Sequence, residues 1–117
     1  VSCDTEFVHK EWHDTSERIA KVKYPMLADP AHKLAKMFKV LIKDAGQAER
    51  GAFIVDPEGK IQVYQVNAGG IGRNAAELLR LLKAAQFVAE HGDQVCPAKW
   101  QPGDDTLAPS LDLVGQL

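Results

Sequence analysis

The most constraining feature of the sequence is a strand pair that feeds a long amphipathic helix. Gly51-Ala52-Phe53-Ile54-Val55 reads as a strand, and Asp56-Pro57-Glu58-Gly59 places Pro and Gly where a tight turn favours them. Ile61 to Val66 reads as the return strand, so 51–66 is predicted to be a hairpin. A glycine-rich connection, 67–72, follows. From Asn74 to Glu90, Leu78, Leu81, Leu82, Ala85 and Ala89 recur at helical intervals, and His91-Gly92 ends the run with Gly92 able to turn left-handed. A sheet face and a helix stripe that are both apolar must be covered, which favours layered packing.

Upstream, Val1 to Thr5 reads as the end of a strand entering a helix cap at Asp4 or Thr5. Residues 5–22 read as two helical pieces that kink near Asp14, where Asp14 and Glu17 have capping-box spacing. Phe7, Val8 and Trp12 give the first piece an apolar stripe. Tyr24 to Ala28 reads as a short buried strand. Asp29-Pro30 is a helix start, followed at helical spacing by Leu34, Ala35, Phe38 and Leu41. Lys43 to Arg50 reads as a loop. The tail 93–117, with Pro97, Pro102, Gly103 and Pro109, reads as an arm rather than a core element. The order strand, helix, strand, helix, hairpin, helix, arm predicts an α/β fold, the back part of a thioredoxin-like sheet with helices on both faces.

With 117 residues, one core is expected. The 14 basic and 16 acidic residues nearly cancel, so no basic surface points to nucleic acid. No apolar run reaches the length of a membrane span. Two cysteines are too few for a secreted disulfide scaffold, and no signal peptide is visible, so a cytoplasmic setting is expected. The chain has no initiator Met, and its first strand is too short to stand alone. A piece of a longer protein is the expectation.

Cys96 lies in Val95-Cys96-Pro97-Ala98-Lys99-Trp100, just past the long helix. A thiol beside a proline in an irregular tail suits disulfide exchange, and it suits a free surface cysteine equally well. Gly70-Ile71-Gly72-Arg73-Asn74-Ala75 matches G-x-G-x-x-A, but the strand before it is the second arm of a hairpin rather than the first strand of a parallel unit. A tight turn into the helix is the better reading. His9 and His13 lie one helical turn apart. Lys10 stands where a zinc-protease helix needs Glu, so a solvated face beside a packed Trp12 is expected.

Several stretches together carry a family resemblance. They are Val1-Ser2-Cys3-Asp4-Thr5 with His9-Lys10 and Trp12, Ala52 to Pro57, Gly70 to Arg73, Val95 to Trp100, and Thr106 to Gly115. The chain resembles the bacterial alkyl hydroperoxide reductase C branch of the typical two-cysteine peroxiredoxins. That resemblance implies a thiol-dependent peroxidase acting on hydrogen peroxide and organic hydroperoxides. It implies that Cys96 is the resolving cysteine, that Arg50 lowers the pKa of a peroxidatic thiol and holds the peroxide oxygens, and that Arg73 is a second arginine near that site. Such a guanidinium favours the thiolate, the reactive form. The family's peroxidatic motif would lie upstream of Val1, and Cys3 stands where the family carries a small residue such as Thr.

The resemblance further implies residues 1–92 as part of the thioredoxin-like domain and 93–117 as a resolving arm. It implies a homodimer or a larger ring, with strand 61–66 at an edge. A flavoprotein disulfide reductase or thioredoxin would be the reductant, and neither a metal nor a flavin would be bound by this chain. The rival reading is a non-catalytic thioredoxin-like fragment that acts only through assembly.

Overall fold

The computed structural model describes residues 1–115. The chain divides into two compact units, one formed by Val1–Gly51 with Val66–Gly72, the other by Ala52–Gln65 with the chain from Arg73 onward.

In the first unit, helix α1 spans Glu6–Thr15, and Thr5 caps it by accepting from the Val8 N–H. Asp14 is inside this helix, so it caps nothing. Ser16 closes α1 through its N–H to the Trp12 carbonyl, and its side chain accepts from the Ile19 N–H of a single 3-10 turn at Ile19–Lys21. The two-piece reading of 5–22 therefore holds with a different cap. The predicted buried strand at 24–28 reduces to one parallel bridge, Ser2 to Ala28, flanked by Ser2 N–H to Leu27 O and Asp29 N–H to Ser2 O. Tyr24 and Leu27 are exposed, because a single bridge cannot hold a two-sided strand.

Asp29 does start a helix, but from a distance. Its buried carboxylate accepts from the N–H groups of Lys33 and Ala35 at 2.7 and 2.9 Å, and helix α2 runs only over Lys33–Met37. Lys39 then adopts φ 54°, a left-handed conformation that stops the helix before Leu41 can join it. Leu41–Ile42 forms β1, which pairs antiparallel with β2, Gln47–Ala48, around a turn whose Asp44 and Gly46 have positive φ. The segment 43–50, expected to be a loop, thus contains a small strand.

Strand β3, Arg50–Val55, pairs with β4, Ile61–Asn67, as the hairpin that the turn residues predict. The Asp56 carboxylate accepts from the N–H groups of Glu58 and Lys60 and from the Gln62 side chain, which holds the turn shut. Phe53 and Tyr64 meet edge to face across the pair with centroids 4.9 Å apart.

Helix α3, Ala75–Glu90, is capped by Asn74, whose side chain accepts from Ala76 and Glu77 N–H. His91 closes its other end, and Gly92 is not among the glycines with positive φ, so the left-handed turn expected there is not formed. In the second unit a groove of about 730 Å³ runs beside Ile54, Val55, Leu82, Ala85 and Val88. The tail beyond α3 is not a bare arm. Trp100, only 3% exposed, is the most buried of the core hydrophobic residues described. The last two residues of the predicted arm lie outside the described residues.

Candidate thiol site

Cys96 is a free, half-buried cysteine held on both sides. Before it, Val95 and Leu107 exchange two backbone hydrogen bonds of 2.8 and 3.1 Å. Gln94 and Thr106 join their side chains beside this clasp. After it, Pro97 to Trp100 makes a turn closed by Trp100 N–H to Pro97 O, with Lys99 at φ 65°. A turn of this shape wants a left-handed third residue, the place where glycine is normally found.

Trp100 anchors the segment. Its ring lies 5.1 Å from that of Phe87, which stacks at 4.1 Å on His91, so the tail folds back along α3. Its indole N–H donates to Asp104 O at 3.1 Å, which satisfies the polar end of a buried aromatic. Its own carbonyl accepts from Arg80 Nη1 at 3.2 Å. Arg80 is fixed in turn by Glu77, through Nε and Nη2 at 2.7 and 2.8 Å, a two-pronged pairing on successive turns of α3. The Glu77 hydrogen bond holds the Arg80 pKa above its ordinary value; burial opposes this, and the Glu77 and Cys96 negative charges add to it. Sequence reasoning did not single out Arg80. The signal was available as Glu77 and Arg80 three residues apart on a helix, a spacing that also describes many surface pairs.

The predicted arginines are held by other elements. Arg50 opens β3 in the first unit, and its Nε donates to the Gly69 carbonyl at 2.7 Å, so the glycine-rich connection aims this guanidinium. Arg73 is an exposed residue just before the Asn74 cap, in the second unit. Asn74 engages the first free N–H groups of α3, and the strand before the glycines is the second arm of the hairpin, which agrees with reading Gly70 to Ala75 as a turn.

Cys3 has the opposite surroundings to Cys96. Burial raises its thiol pKa, and Asp29 and then Asp4 raise it further. A thiol pushed up in this way is a poor nucleophile near neutral pH. The expected solvated face around His9 and His13 is found only in part: the His13 side chain is partly exposed, but His9 is buried. His9 is 6% exposed, with Nε2 2.6 Å from Ser2 Oγ, whereas Trp12 is 52% exposed. The Ser2 hydroxyl donates to Asp4, so the short contact is His9 N–H donating to Ser2. His13 donates from Nε2 to Val22 O at 3.2 Å. The two imidazoles are committed to different partners.

The sequence matches the AhpC/TSA family over residues 1–64 and the C-terminal domain of 1-Cys peroxiredoxin over residues 84–116. The chain belongs to the AhpC/TSA family, and its α/β fold is of the thioredoxin-like, peroxiredoxin kind. It is 54% identical to alkyl hydroperoxide reductase C of Bacillus subtilis and 56% identical to that of Escherichia coli, in both cases over all of this chain and 63% of the relative. The chain thus spans about 63% of the length of these relatives. Among solved structures it is similar to Enterococcus faecalis AhpC, with TM-score 0.78 and 59% identity over 82% of this chain and 57% of that one. It is also similar to the reduced Plasmodium vivax 2-Cys peroxiredoxin, with TM-score 0.89 and 33% identity over 98% of this chain and 60% of that one.

Proposed function

We propose that this chain carries the resolving half of a thiol-dependent peroxidase. The observation that supports this best is Cys96: a free, half-buried thiol on a seated segment, inside the stretch that matches a peroxiredoxin C-terminal domain. In the proposed cycle a peroxidatic thiolate on a partner attacks a hydroperoxide, releases the alcohol or water, and is left as a sulfenic acid. The Cys96 thiolate then attacks that sulfur. The S–S bond forms, the S–O bond breaks, and the hydroxyl leaves as water with the proton that Cys96 gave up. Arg50 and Arg73 polarise the hydroperoxide oxygens, as an always-charged guanidinium can. A dithiol reductant, a flavoprotein disulfide reductase or thioredoxin, returns the disulfide to thiols.

Residues 1–92 belong, in this reading, to the thioredoxin-like domain and 93–117 to the resolving arm. The assembly is a homodimer or larger ring, and the exposure of Phe7, Val8 and Trp12 on α1 supports an apolar contact there. Among the described residues no helix is long and apolar enough to cross a membrane, and the reading places the protein in the cytoplasm.

The test is capture. The chain is mixed with a peroxiredoxin whose own resolving cysteine is replaced by Ser, one equivalent of peroxide is added, and adducts are mapped by mass spectrometry. A disulfide to Cys96 is expected, lost in Cys96→Ser and kept in Cys3→Ser. The chain alone, with peroxide and excess dithiol, is expected to show negligible turnover, because Cys3 is disfavoured as a thiolate. Turnover that vanishes in Cys3→Ser would reverse the assignment. Assembly without any adduct would favour the non-catalytic reading.

A further inference from the structure

Arg80 has no role in the proposed cycle, yet it is one of the best-fixed side chains near Cys96. Its side chain is 15% exposed, it meets Glu77 through two nitrogens, and a third nitrogen reaches the Trp100 carbonyl. The Glu77 pairing orients the guanidinium, which leaves Nη1 aimed at a backbone acceptor rather than free to swing. Trp100 is four residues beyond Cys96, and the turn from Pro97 to Trp100 is closed by its own hydrogen bond. Fixing the Trp100 carbonyl therefore fixes one end of the short segment that bears the thiol. The other end is fixed by the Val95–Leu107 clasp.

We infer that Arg80 is a positioning residue for Cys96: a latch that seats the thiol-bearing segment on the flank of α3 through Glu77 and the Trp100 carbonyl. This rests on the reading of Cys96 as the resolving thiol. The fork is essential to the latch. A lysine would keep a positive charge near the segment but presents a point charge on a flexible stem, which cannot hold two parallel bonds to Glu77 and a third to the carbonyl. Releasing the latch would leave the Trp100 end held by its ring packing and indole hydrogen bond alone, and so leave the thiol more open to reagents and partners.

The experiment uses the full chain in a Cys3→Ser, Trp12→Phe background, so that Cys96 and Trp100 are its only cysteine and tryptophan. Arg80→Lys is the main variant, because it keeps a positive charge at this position and removes the fork. In Arg80→Lys, Trp100 emission is expected to shift to the red, and alkylation of Cys96 by a neutral reagent to accelerate about tenfold, the scale of one lost charge-assisted hydrogen bond. Arg80→Ala should do the same, and Lys83→Ala, on an exposed position of α3, should change neither. If Arg80→Ala does not fold, Arg80→Lys carries the test. Wild-type emission and alkylation in Arg80→Lys would overturn the latch, as would an emission shift with no change at Cys96. Capture of a sulfenic acid by Cys96 is scored separately, so its failure would count against the function and not against the latch.

Discussion

The two cysteines sit in neighbourhoods built on opposite principles. Around Cys3, the charges are carboxylates, Asp29 and Asp4, and both they and burial push the thiol up. Around Cys96, aromatic packing at Trp100 seats the segment, and the Arg80 guanidinium holds the Trp100 carbonyl. The same side chain is thus pushed toward its protonated form in one place and carried on an aromatic-anchored segment in the other. Residue type alone does not distinguish the two thiols; the groups that the backbone brings alongside do.

Trp100→Ala should break this comparison most forcefully. Removing a nearly buried indole from the packing with Phe87 is expected to cost about 3–5 kcal/mol, read as a lower denaturant midpoint, and to free the Cys96 segment while leaving Cys3 as it was. A midpoint equal to wild type would mean that the tail does not depend on this anchor.

Asp29→Asn sharpens the other half. With its charge gone, Cys3 should titrate closer to an ordinary thiol, measured by the pH dependence of alkylation in a Cys96→Ser background. The acid side follows from the carboxylate itself. Burial pushes the Asp29 carboxyl up, but the N–H groups of Ala35, Leu34 and Lys33 outweigh it and hold the pKa below the usual value. The unfolded carboxyl titrates near ~3.9, so this stabilisation is present above about pH 4 and fades as pH falls through the lower folded value. The Asn variant should lose that part of the acid slope; an unchanged slope would place the acid sensitivity elsewhere.

The smallest effect is expected at Lys99, which is left-handed in the turn after Cys96. Lys99→Gly removes a Cβ penalty of about 1 kcal/mol, offset in part by the greater freedom of glycine when unfolded. A slight rise in melting temperature is expected, and a fall would show that the lysine side chain holds the turn.

The hairpin and α3 were legible in the sequence because their signals are local: a turn with Pro and Gly between two strand-like runs, and apolar residues at helical intervals. The segment 33–48 was not. Apolar spacing carried the helix through Leu41, whereas Lys39 stops it by taking a left-handed conformation that no composition rule assigns to lysine. The burial of Trp100 was missed for a related reason. Proline-rich tails read as irregular, and irregular was equated with unpacked, although one aromatic can seat a chain that has no repeating pattern. His9 and Trp12 exchanged roles because a helix stripe records spacing and not which side the rest of the chain covers. Cys96 could be singled out from its sequence neighbours; Arg80 offered only its spacing from Glu77, because its other partner is a backbone carbonyl twenty positions away.

The Asp56 turn has a consequence for the order in which the chain folds. Every partner of its carboxylate lies within residues 58–62, so the turn needs no distant segment in order to close. Hairpins of this size form in roughly 1–10 μs, well before long-range contacts are made. The turn therefore sets the strand register while the rest of the chain is still searching, and a slip by one residue would send Phe53 and Tyr64 to opposite faces.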